Sequence, residues 1–162
     1  MENNILAIFT IVFTLFVVIV FLIVIFKGIY RFFEYLFGLV FGKPFYVHFY
    51  PFPKKINSNS LHFLNTNFPF YINLSDKKKT YFEHRIARFL DQYEFFGREN
   101  FIVTENVKIH IAATFIMLTF GKRKYLCKVF DKIIIYPSVY FSRIKQQYHK
   151  GEFNPNTKVV VF

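Results

Sequence analysis

A single cysteine, Cys127, is present in 162 residues, so the chain can form no internal disulfide. That agrees with a reducing cytosol. The thiol sits in the apolar stretch YLCKVF, the setting of a packed side chain and not of a reactive one. Charge is missing from one region in particular. From Ile5 to Phe26 there is no charged residue, and only Thr10 and Thr14 are polar. At about 1.5 Å per residue, this run of about 22 residues covers about 33 Å, enough to cross a bilayer core. A run this long without a polar face does not suit the core of a soluble domain. MENN ahead of it carries no basic residue, and KGIYRFF behind it carries no small-residue cleavage pattern. Both absences argue against a cleaved signal peptide and for a retained anchor.

The distribution of the charge that is present sets an orientation. No lysine or arginine precedes Lys27, whereas Lys27, Arg31 and Lys43 follow the apolar run. Basic flanks stay cytoplasmic, so the body of the protein is expected in the cytosol on a single-pass anchor. The rings of Tyr30, Phe32, Phe33 and Tyr35 suit the membrane–water interface. The net charge is +11, and an anionic leaflet attracts such a domain. The basic residues are scattered, apart from DKKKT and GKRKY, and no nucleic-acid-binding fingerprint occurs. The bilayer is therefore the expected partner, and no specific nucleic acid is.

Beyond the anchor the chain has no long internal repeat. Residues 44–64 hold three prolines after Lys43 and the polar stretch KKINSNS, which reads as a connector. A helix is predicted after the cap residues Ser75 or Asp76, with Phe82, Ile86, Phe89, Leu90 and Tyr93 in one arc and Glu83, His84, Arg88 and Asp91 away from it. A second helix is predicted between Thr104 as N-cap and Gly121 as C-terminal stop. Val107, Ile109, Ile111, Ala112, Ala113, Phe115, Ile116, Leu118 and Phe120 cover most of its circumference, the pattern of a central buried helix. KIIIYP and TKVVVF read as strands, and SVYFSRIKQQYHKGE as a further short helix. Helix, helix, strand, strand makes the body α+β.

Three segments in this order, YFEHRIARFLDQYEFFGRENFIVTENVKIHIAATFIMLTFG, IIIYPSVYF and YHKGEFNPNTKVVVF, resemble the N-terminal half of the zinc-dependent peptidases related to Mlc titration factor A, the glucose-regulated metallopeptidases. The resemblance runs from about Phe68 to Phe162. It implies a zincin-like metallopeptidase fold and a zinc site made of the two histidines of HExxH and a more distal carboxylate, with the HExxH glutamate as general base. It also implies a bacterial cytoplasmic (inner) membrane, and a peptide substrate or a regulator protein as partner. Three segments are then expected: a membrane anchor with its interfacial aromatics over 1–43, a connector over 44–67, and over 68–162 the N-terminal part of a zincin-like domain, truncated before HExxH.

No HExxH occurs in these residues. The histidines are His48, His62, His84, His110 and His149, with no pair at i, i+4. Glu83, Glu94, Glu99 and Glu105 have no second ligand at chelating spacing. No catalytic, cofactor-binding or metal residue is assigned, and no cofactor is expected for this chain, although the family implies zinc. Three functions are compatible with this reading: first a membrane-anchored, catalytically empty member of a zinc peptidase family, then a non-catalytic regulator-binding module on a peptidase scaffold, and last a basic protein that coats nucleic acid or anionic lipid.

Overall fold

The computed structural model of the chain describes residues 2–142 and 145–162, which fall into two compact units, 1–47 and 48–162. The first is a single helix, α1 (Glu2–Phe41), of 40 residues. At about 1.5 Å per residue it is about 60 Å long, twice a hydrocarbon core of about 30 Å. One stretch of it, Leu6–Phe41, is long and apolar enough to cross a membrane. Its two threonines leave no hydroxyl unsatisfied: Thr10 donates to the carbonyl of Ala7 at 2.8 Å and Thr14 to that of Thr10 at 2.7 Å, as an apolar surround requires. The helix stops at Gly42, whose φ of +63° is the left-handed value that glycine takes without strain and whose N–H donates to the Gly38 carbonyl at 2.9 Å.

The second unit begins with two short helices, α2 (Ser58–Asn67) and α3 (Pro69–Ile72), followed by α4 (Asp76–Gln92), β1 (Glu94–Gly97) and α5 (Glu105–Thr119). Five short strands follow: β2 (Lys132–Ile135), β3 (Tyr140–Ser142), β4 (Gln147–His149), β5 (Glu152–Asn154) and β6 (Val159–Val161). The main sheet has the order β1-β2-β6-β5. β1, β2 and β6 run parallel, with Phe95 beside Ile133 and Ile133 beside Val160, and β5 pairs antiparallel to β6. β1 and β2 are parallel neighbours, so the chain between them must cross over, and α5 is that crossover. The turn out of β1 is tight. A Cβ on Gly97 would lie 1.8 Å from the Phe101 carbonyl oxygen, so only glycine fits there. Glu99 and Asn100, both at positive φ, complete the turn.

The core forms where α4 and α5 meet each other and the sheet. α4 contributes Phe82, Ile86 and Phe89, α5 contributes Ile109, Ala112, Ala113 and Ile116, and β2 contributes Ile133 and Ile135. Each large side chain buried here stabilises by about 1.5–3 kcal/mol. Two buried phenols are paired: Tyr93 donates to the Cys127 carbonyl at 2.7 Å and accepts from the Cys127 N–H at 2.9 Å, and Tyr71 donates to Glu83 at 2.6 Å.

Several details differ from the sequence-based expectation. Residues 58–67, within the expected connector, form α2: Asn57 accepts from the Ser60 N–H at 2.7 Å as N-cap, and Leu64 is fully buried. Tight spacing of polar residues concealed this cap and its single inward leucine. The expected short helix after Ser138 is instead the antiparallel hairpin β3–β4, with Tyr140 opposite His149; Arg143 and Ile144 lie outside the described residues. β1 was missed, and with it the parallel crossover, so the domain is mixed α/β and not a simple succession of helices and strands. Thr104 caps α5 as expected, its hydroxyl accepting from the Val107 N–H at 3.4 Å. Gly121, by contrast, does not adopt the left-handed stop; α5 unwinds through a turn in which the Lys122 N–H donates to the Thr119 carbonyl at 2.9 Å.

Candidate functional site

Two features of the second unit stand apart from ordinary packing, and both involve α5. The first is at its C-terminal end, where the last carbonyls of a helix have no partner within it and carry partial negative charge. Arg85 supplies that partner. It lies on α4 at the spacing of Phe82, Ile86 and Phe89, and like them it is fully buried. One terminal nitrogen donates to the Thr119 carbonyl at 3.2 Å and the Phe120 carbonyl at 3.0 Å, while Nε donates to the Tyr50 hydroxyl at 2.7 Å. The guanidinium carbon lies 4.2 Å from the ring centre of Tyr125, 5.4 Å from that of Phe120 and 5.9 Å from that of Tyr50. A planar cation with forked donors suits stacking and carbonyl pairing at once. Sequence reasoning missed Arg85 because charge assigns a residue to the wet face. Its place at i+3 from Phe82 was the signal available.

Around this cation the histidines are held neutral. His48 stacks on Tyr81 (ring centres 5.0 Å apart) and packs on Phe120 (4.5 Å). Burial, reinforced by Arg85 and Lys78, pushes its pKa down to about 4. His84 is also lowered, by burial and by Arg88, Arg85 and Lys54. Its Nδ1 accepts from the Lys54 N–H at 2.9 Å, which requires the unprotonated form.

The second feature is an apolar groove of about 320 Å³ along the outer side of α5, lined by Phe89, Ile111, Phe115, Leu118, Phe130 and Ile133 among others. α5 was expected to be buried on nearly all sides. Only the stripe Ile109, Ala112, Ala113 and Ile116 is; Ile111 and Phe115 are half-buried and Leu118 is 73% exposed. The inner stripe meets α4 and α2, while on the other side Phe89 of α4, Phe130 and Ile133 of β2 wall an open groove without filling it.

The side chains that a zinc site would need are placed apart. His62 is exposed on α2, His110 stands edge-on to Phe63 and Phe68, and His149 is on the β3–β4 hairpin. Glu94 and Glu105 do line one open cleft beside β1, in company with Lys108. Glu83 is taken by Tyr71, whose pKa is raised by burial and by that hydrogen bond. Among the described residues no three His, Cys, Asp or Glu side chains converge as a metal site would require. The residues present do not fit a catalytic zinc.

Comparison with known proteins agrees with the motifs in the sequence. No solved structure matches the chain, so the zincin-like fold has no structural counterpart here. An uncharacterized protein of Synechocystis sp. is 33% identical over 79 residues, 48% of this chain. That match spans 28% of the relative's length, well under two thirds of it. The family described as glucose-regulated metallo-peptidase M90 matches residues 50–160, from the tyrosine that holds Arg85 to the last strand of the sheet, and the chain belongs to that family.

Proposed function

We propose that this chain is a membrane-anchored member of the peptidase family whose 162 residues carry scaffold and not the metal centre, so that as it stands it neither binds zinc tightly nor cleaves peptides. The observation that carries this reading is the dispersal of its ligand-type side chains. A catalytic zinc needs about three protein ligands and an open position for water. Here the sequence has no HExxH, and no such group converges among the described residues. The scaffold, in contrast, is matched almost throughout the second unit. Titrating metal-free protein with zinc and then assaying aminopeptidase and endopeptidase activity tests it. The expected result is no stoichiometric binding at submicromolar zinc and no cleavage. Cleavage lost on changing His110 or His149 would overturn it.

In this proposal the family suggests a bacterial cytoplasmic membrane for the anchor, and the basic residues confined to the C-terminal side of the uncharged run support a cytosolic body. Protease added to intact spheroplasts should leave the body undigested. A second reading, a non-catalytic module that holds a regulator protein, is favoured by the open apolar groove on α5. It requires a stoichiometric complex that Leu118→Asp abolishes.

A further inference from the structure

The stretch from His48 to Lys55 is fastened to the rest of the second unit at three points, His48, Tyr50 and Lys54. His48 packs on Tyr81 and Phe120, the Tyr50 hydroxyl accepts from Arg85, and Lys54 is held twice, by its N–H on His84 and by its ammonium on Asp91 at 2.6 Å. The side chains between these points stand outward. Phe49 is 72% exposed and Phe52 92%, the highest value for any large apolar side chain among the described residues. Pro51 and Pro53 flank Phe52 and fix the backbone on both sides, so the ring has no local route back onto the domain. A rigidly presented phenylalanine is unusual on a surface that meets only water.

Its electrostatic setting names what it meets. No acidic residue occurs between Glu34 and Asp76 in the chain, while Lys43, Lys54 and Lys55 lie in that interval; Asp91 of α4 pairs with Lys54, so the charge beside Phe52 is that of Lys55. Phe52 also follows the end of the membrane-spanning candidate α1, Phe41, by eleven positions in the chain. An apolar ring beside a lysine, joined closely to an anchor, matches an anionic bilayer surface, where rings enter the boundary below the headgroups and ammonium groups face phosphates.

We propose that the Phe49–Lys55 stretch is a membrane-contact surface of the second unit, with Phe52 inserted in the interfacial zone of an anionic leaflet and Lys55 at its phosphates. This rests on the anchor reading above. The chain contains no tryptophan, so Phe52→Trp creates a single tryptophan, excited selectively over the tyrosines, at an exposed position that tolerates it. The full chain carrying this change is reconstituted into phosphatidylglycerol–phosphatidylcholine vesicles, some with acyl chains brominated near the headgroup. The expected result is flotation with the vesicles, blue-shifted emission, quenching by the brominated lipid and protection from acrylamide. The blue shift should weaken in pure phosphatidylcholine and with Lys55→Glu. Ile102→Trp, at a position 80% exposed, should stay red and open to acrylamide. A chain that floats but whose Phe52→Trp emission remains aqueous overturns the contact and leaves the anchor standing. Failure to float overturns both. A blue shift without bromine quenching means that a protein surface covers Phe52, and equal quenching at Ile102→Trp means non-specific adsorption. Either result overturns the proposal.

Discussion

The two sides of α5 are built from the same kinds of residue and meet opposite fates. Ile109, Ala112, Ala113 and Ile116 are wholly buried, while Ile111 and Phe115 are half-exposed and Leu118 is 73% exposed. Composition does not separate them; contact does. The alanines on the inner side let α4 and α2 approach closely, and the larger residues on the outer side line a groove instead. A helix that is apolar all round signals that both sides are meant for cover, but only neighbouring elements decide which side receives it. The inner side therefore carries most of what α5 contributes to stability, Ile111 and Phe115 contribute in part, and Leu118 contributes little.

The sharpest way to break that contrast is to place a charge on each side in turn. Ile116→Asp buries an unpaired carboxylate and should cost on the order of 4 kcal/mol or more, enough to unfold the second unit. Ile111→Asp sits on the border and should cost clearly less. Chemical denaturation of the full chain in detergent, followed by far-UV circular dichroism, measures both. The next largest effect belongs to the inner side's C-terminal end. Arg85→Ala strands two carbonyls, removes one partner of the Tyr50 hydroxyl and opens a gap among three rings, for about 3 kcal/mol. Arg85→Lys should recover only part of that, because an ammonium cannot reproduce the forked, stacked geometry. Full recovery by lysine would show that charge at the helix end matters and planarity does not.

The same contrast explains what the sequence disclosed. The long apolar helix α1, the Thr104 cap, the Phe82–Ile86–Phe89 stripe and the strands at 132–135 and 159–161 were legible because each depends on local spacing or local chemistry. Apart from α2, whose local Asn57 cap was concealed by the polar residues around it, the misses depend on distant partners. β1 is four residues whose strand character comes from pairing with β2. The hairpin β3–β4 looked helical because its alternation is short and polar. Arg85 reads as a wet residue until the carbonyls of Thr119 and Phe120, over thirty positions away, arrive to pair with it. For the candidate site, the absence of HExxH was visible at once, whereas the groove appears only when the neighbours of α5 are placed.

A smaller effect than either substitution comes from acid. His48 titrates at about 4 in the folded chain, below its ordinary 6.5, because burial and then Arg85 and Lys78 disfavour the cation. Between those values the unfolded chain binds the proton and the folded one does not, so stability rises with pH across this window and is lost as pH falls from 6.5 toward 4. His84, lowered for related reasons, acts in the same direction, since its protonation removes the acceptor of the Lys54 N–H. Denaturation midpoints measured across the window should decline on acidification, and His48→Gln should flatten the decline. A midpoint that rises on acidification would show that these rings are protonated in the fold.

The smallest effect is expected where the contrast is most exposed to error. Leu118→Asp removes an apolar side chain from the rim of the groove, and since that side chain is 73% exposed the change should move stability by no more than about 0.5 kcal/mol. It should also reduce self-association, because it places a charge in the middle of an apolar patch. Both readouts come from one preparation, denaturation for the first and sedimentation velocity in detergent for the second. If Leu118→Asp instead destabilises as Ile116→Asp does, the outer side of α5 is covered in solution. Concentration dependence then identifies the cover: a midpoint that rises with protein concentration in the unaltered chain means that another copy supplies it. A midpoint independent of concentration means that the chain's own residues fold over the groove, and the division of α5 into a structural side and a bare side fails.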